Sequence, residues 1–199
     1  MTEILLVVGV TGAVLFVVVL LVEGARRPGY ESTYHPGSAL SLGDRGSIQI
    51  ANFVLLGVAM LAFAVGVYRT LDTEVGALLL AIFGLAMIAA GAFVMDPMRG
   101  YPPGTPSDTP TELTWHAQVH EVTGPVAFLA LFGACLALAA RLDGPWRLYT
   151  VLTASAGLVL TIGTALAWRK DAAHTGLIQR GLIVVYFSWI VVLGIHLAR

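Results

Sequence analysis

The sequence predicts an all-α integral membrane protein, a bundle of six transmembrane helices. Composition is the first reason. Of the 199 residues, 57% are hydrophobic and only 12% charged, with a mean hydropathy of +0.84, whereas a soluble domain carries about 25% charged residues. Patterning is the second. The apolar residues come in six runs of roughly 18 to 22 with no polar face, the length a helix needs to cross a bilayer at ~1.5 Å per residue. Residues 1–199 are expected to form a single six-helix domain in the cell membrane. The net charge of −1 offers no basic surface, which sets nucleic acid aside as a partner.

The first run covers residues 4–22. Glu3 precedes it, no Lys or Arg does, and no clean small-residue cleavage site follows, so an uncleaved span is expected rather than a signal peptide. A polar segment, 23–47, contains RRPGYESTYHPGSALSLGDRG. The second run, 48–68, carries Gln49 and Asn52 in its first turns, placed to hydrogen-bond toward the same end of the bundle. A short link, 69–75, leads to the third run, 76–95. Then comes a proline-rich connector reading DPMRGYPPGTPSDTPTELTWHAQVH from Asp96 to His120. The fourth run spans 119–140, the fifth 148–168 and the sixth 177–198, with short links between them.

Small residues recur at helical spacing, Ala62 and Gly66 on the second span and Gly157, Thr161 and Ala165 on the fifth. Such stripes let helices approach closely in lipid, so they are assigned to packing. Pro125 removes the hydrogen bond to the carbonyl of Glu121 and loosens the fourth helix one turn beyond His120. The lone cysteine, Cys135, lies mid-span and reads as a buried structural thiol.

The links after spans one, three and five are the polar ones. An even number of crossings separates them, so they share one membrane face. His35, Asp96, His116, His120, His174 and Arg180 all fall near it, and only His196 lies at the other end. Lys and Arg number seven on that face (Arg26, Arg27, Arg45, Arg99, Arg169, Lys170, Arg180) against four opposite (Arg69, Arg141, Arg147, Arg199). The positive-inside rule alone would make the rich face cytoplasmic. Arg45 and Arg180 belong to candidate site motifs, however, so the count carries no orientation. Arg99, Arg169 and Lys170 read as interfacial anchors, and Tyr101, Trp115 and Trp168 as members of an aromatic belt.

Ionisable groups within a membrane are read as functional when deep, and the candidate polar site is His35, Ser38, Ser41, Asp96, His116, His120 and Arg180. His116 and His120 are spaced i, i+4, which puts both imidazoles on one helical face. Such a pair can share a metal ion, with Asp96, His35 or His174 completing a three-ligand set around zinc or another divalent metal. The order HxxxHE is not the HExxH of metalloproteases, and a hydrogen-bonded network closing the bundle mouth is the competing reading. Ser38 or Ser41 as a histidine-activated nucleophile has no elbow motif behind it. Arg180, one turn into the sixth span, calls for a carboxylate or a phosphate: Asp96 first, Glu121 second, a lipid headgroup third.

Four segments together carry a family resemblance: HPGSALSLGDRGSIQIANFVLLG at 35–57, GAFVMDPMRGYPPG at 91–104, WHAQVH at 115–120 and GLIQR at 176–180. Over essentially its whole length the chain resembles the bacterial and archaeal membrane proteins grouped as domain of unknown function 998. The resemblance implies a six-span fold and no established activity. It maps family positions onto Ser38 or Ser41, Asp96, His120 and Arg180. Many members have an acidic residue where this chain reads SALSLG, so a role needing that carboxylate does not carry over.

Three function classes follow. The leading expectation is a polar mouth that holds a lipid or small ligand, with membrane lipids as partners. The second is a metal-dependent hydrolase acting on a membrane lipid. The third is an accessory or assembly subunit of a larger membrane complex. Transport ranks below these, because neither an inverted repeat nor paired broken helices are visible.

Overall fold

A computed structural model describes residues 1–199. It contains six helices, α1 (Thr2–Arg26), α2 (Gly46–Leu71), α3 (Glu74–Ala92), α4 (Trp115–Ala139), α5 (Gly144–Arg169) and α6 (Thr175–Leu197), with one 3-10 turn at Gly37–Ser41 and no β-strand. All six are long and apolar enough to cross a membrane. Their outward faces carry Val14, Leu55, Leu78, Leu129, Val159 and Val184, each at least 44% exposed. A girdle of that kind has no solution in water, and it suits a hydrocarbon solvent. The protein is a multi-pass membrane protein.

Each helix packs against the next in sequence, and α6 returns to α1. The result is a closed ring of helices. Its middle is filled by aromatic side chains reaching in from four of them: Phe16 lies 5.4 Å from Phe53 and 5.3 Å from Phe187, which is 6.2 Å from Phe83. Offset and edge contacts at these separations are the favoured aromatic geometries. The α2–α3 crossing is the tightest, because a Cβ on Gly57 would stand 2.5 Å from the carbonyl oxygen of Gly84. Only two glycines let the backbones meet there.

Of the small-residue stripes, Gly66 seats Leu6 and Gly157 seats the Tyr186 ring, as packing requires. Thr161 and Ala165 instead line an open space between helices. α3 ends at Ala92, three residues before the end of its apolar run. Phe93 is extended there (φ −112°, ψ 97°), and Pro97 further on biases Asp96 against helix.

The segments after α1, α3 and α5 cover the polar end of the ring. Glu23, buried at the last turn of α1, accepts from Arg27 Nε (2.9 Å) and from Arg45. The other nitrogens of Arg27 donate to the carbonyls of Leu40 (3.0 Å), Leu42 (3.0 Å) and Arg45. The carbonyls of Leu40 and Leu42 are backbone acceptors that the short 3-10 turn leaves open, and burial makes an unfilled one costly. Breaking a buried ion pair by removing one partner costs about 3–5 kcal/mol. Glu23→Ala is therefore expected to lower stability by about that much in reversible detergent unfolding. A change under about 1 kcal/mol would show the pair to be incidental.

Candidate functional site

The 3-10 turn dips into the ring mouth against α2, α1 and α6. Its first amide is held from below: Gly37 N–H donates to Gln179 Oε1 at 2.8 Å. Beside it lie two adjoining cavities. The inner one, about 70 Å³, is walled by the aromatic side chains of the ring's middle, including Phe16, Phe53, Phe83 and Phe187. The outer one, about 220 Å³, lies among α4, α5 and α6, with Glu121, Thr161, Thr164, Trp168 and Arg169 on its wall. Ser38, His120, Gly124, Phe128 and Gln179 line both and form the boundary between them. Polar residues are concentrated on the outer wall and aromatic ones on the inner, while most of the surface of both is apolar.

His120 is the buried hinge of this boundary. Its Nδ1 stands 2.7 Å from the carbonyl oxygen of Phe93, just past the end of α3. A carbonyl only accepts, so Nδ1 carries the proton, and Nε2 in the neutral ring is an acceptor. Ser38 Oγ meets only Met95 Sδ, at 3.4 Å. Gln179, with its oxygen fixed on Gly37, keeps its NH₂ group for the cavity.

The other sequence-predicted site residues are drawn elsewhere. His35 is buried with both ring nitrogens engaged: Nδ1 accepts the Glu31 N–H (2.9 Å) and Nε2 donates to the Arg99 carbonyl (2.9 Å). Tyr30, Tyr34 and Tyr101 surround its ring. It is a structural part of the cover. Ser41 is buried, lines neither cavity, and its hydroxyl has no partner.

Asp96 does not meet Arg180. Its carboxylate accepts from the N–H and the hydroxyl of Thr114, both at 2.7 Å. Thr114 in turn accepts from Ala117 N–H as the N-cap of α4. Arg180 donates to Tyr30 Oη (2.6 Å) and to the carbonyls of Gly176 (2.9 Å) and His35 (3.2 Å). Neutral oxygens thus hold it, in place of the expected carboxylate or phosphate. His116 is exposed and stacks on Trp115, ring centroids 3.8 Å apart. No three His, Cys, Asp or Glu side chains stand close enough to hold one metal ion. His116, His120 and Asp96 do not form the three-ligand set that their spacing allowed.

Two further expectations change. Arg99 is no interfacial anchor: it is buried, donates to the Trp168 carbonyl (2.6 Å), pairs with Asp171 (3.2 Å) and lies 3.6 Å over the Trp168 ring. Tyr101 is likewise buried, within reach of Arg27 (3.4 Å). Gln49 and Asn52 stay inside the ring, where Asn52 Nδ2 donates to the Phe16 carbonyl at 3.1 Å and ties α2 to α1. The cavity-lining Thr161, Thr164 and Thr175 went unsingled as site residues, since threonine in an apolar helix carries no signal of its own.

The family model for a protein of unknown function, DUF998, matches residues 10–196. The chain belongs to the DUF998 family. No curated protein and no solved structure matches it. In this DUF998 protein the four motif segments all converge on the covered mouth. They supply the 3-10 turn, the Asp96–Thr114 brace, His120, and the Gln179–Arg180 pair.

Tyr34 reports on how that cover is tied to α5. Its hydroxyl donates to Asp171 at 2.6 Å. Desolvation, and then the Asp171 carboxylate, push the phenol up to about 12. The folded form thus holds this proton more tightly than the unfolded chain does. The resulting stabilisation is complete below about pH 10 and fades as pH rises toward 12. In Asp171→Asn, the Tyr34 transition, isolated by subtracting the 295 nm titration of the matching Tyr34→Phe variant, is expected to move down toward 10. An unmoved transition would remove Asp171 as a cause.

Proposed function

We propose that this DUF998 protein holds an amphiphilic lipid or small ligand in the paired cavities, taken from the membrane in which it sits. The observation that carries this is the polarity gradient across one boundary, with His120, Ser38 and Gln179 between a polar vestibule and an aromatic chamber. Ligand sites are typically concave spaces of ~300–1,000 Å³, mostly apolar, with a few placed polar groups. The two cavities together sit near the lower end of that range. They lie near the covered end of the ring, where headgroups meet acyl chains. Membrane lipids are therefore the partners, and the cell membrane the location, that fit this reading.

Gly124 offers a clean test. It stands on the boundary, and a Cβ placed there meets nothing within 4 Å. Gly124→Leu therefore starts its side chain in open space and directs it into the cavity, and the general gain of about 1 kcal/mol from removing a helical glycine is offset by the crowding that Pro125 imposes on the residue before it. The variant is expected to lose co-purifying or added amphiphile, measured by native mass spectrometry, while still unfolding cooperatively with a thermal midpoint near that of wild type. Equal ligand retention by Gly124→Leu would reject the cavity as the site.

A further inference from the structure

We infer that the ligand's head is neutral and hydroxyl-bearing, of the glycerol or sugar kind, and is neither a phosphate nor an ammonium. This rests on the cavity reading above and adds the chemistry of what the cavity accepts. The inference comes from where the protons on the vestibule wall are already committed. Thr161 donates its hydroxyl proton to the Gly157 carbonyl (2.8 Å), Thr164 to Leu160 (2.8 Å) and Thr175 to Ala172 (2.7 Å). A hydroxyl has one proton. Toward the vestibule all three can only accept.

The same holds for the neighbours. His120 spends its proton on Phe93 and offers Nε2 as an acceptor, and the Glu121 carboxylate on the same wall accepts only. The uncharged donors facing them are the Gln179 NH₂, whose own oxygen is held by Gly37, and the Trp168 indole N–H, which is already directed to the Glu121 carboxylate. The wall thus calls for a head that donates several hydrogen bonds and accepts few. Hydroxyl groups do both.

A phosphate or carboxylate head is acceptor-only and would set lone pairs against lone pairs beside Glu121. Arg169 and Glu121 place one positive and one negative group on the vestibule wall, so the wall offers an anion no net charge. An ammonium satisfies the acceptors but meets the opposite difficulty. Arg169 stands on the same wall, and Arg99 already occupies a face of the Trp168 ring at 3.6 Å, where a cation would otherwise sit. A neutral polyol avoids both repulsions. Its apolar end fits the aromatic chamber only in part, because about 70 Å³ is less than half of an engineered ~150 Å³ cavity that admits benzene. A longer chain leaves past Ala165, an exposed wall residue of α5.

The test uses full-length protein in phosphatidylcholine nanodiscs, purified without sugar-headed detergent. Three probes share one dodecyl-length chain: a monoacylglycerol, the corresponding acylglycerol phosphate, and an alkylammonium. Competition is read by native mass spectrometry. The monoacylglycerol is expected to be held at least about ten-fold more tightly than either charged probe. Thr161→Val/Thr164→Val is expected to erase that preference while keeping the wild-type thermal midpoint in probe-free nanodiscs. Tighter binding of a charged probe, equal binding of all three, or an unchanged preference in the double variant overturns the neutral head and leaves the cavity reading standing. Binding of none of the three, with Gly124→Leu indistinguishable from wild type, overturns both.

Discussion

The mouth of this ring depends on one carboxylate. Glu23 lies within the covered end of the bundle, where an unpaired charge is untenable, and it draws in Arg27 and Arg45. Arg27 then has donors to spare, and it spends them on the carbonyls of the 3-10 turn that no helix satisfies. A charge requirement at the end of α1 is thereby converted into a fixed position for residues 37–41. Ser38 faces the cavities because of it, and Gly37 stands where Gln179 can reach it. Without this chain of satisfied groups the polar segment would have no reason to enter the ring.

Six spans were legible because bilayer thickness imposes a length that composition alone reveals. Convergence of the polar segments on one end was legible too, from the parity of crossings. Partner choice within that end was not. Asp96 and Arg180 approach the same face, but an acid four residues past the end of α3 finds a nearer use in bracing Thr114, the N-cap of α4. Arg180, surrounded by carbonyls and Tyr30, needs no acid. The i, i+4 spacing of His116 and His120 fixes a helical face and says nothing of depth. One ring lies outside on Trp115, the other inside on Phe93.

Groups that looked incidental turned out to matter more. Arg99 reads as an anchor when judged by its distance from the apolar run. It is buried because a left-handed backbone at this residue (φ 56°) and at Gly100 (φ 77°) folds the connector back over α5. No periodicity encodes such a turn. The threonines of α5 are equally silent in sequence. Their hydroxyls bond their own helix, which hides their polarity from lipid while leaving lone pairs turned toward the gap.

Helix length carries one more consequence. α3 has 19 residues and α5 has 26, about 28 and 39 Å at ~1.5 Å per residue. A hydrocarbon core near ~30 Å matches the first upright and leaves the second, longer than the core, free to lean. The buried residues of α5 are Thr150, Thr153, Ala154, Gly157 and Ala167, so between Gly157 and Ala167 little holds it to the ring. The vestibule wall is that same stretch. Its lean, and with it the width of the slot toward the lipid, becomes a quantity that bilayer thickness can set.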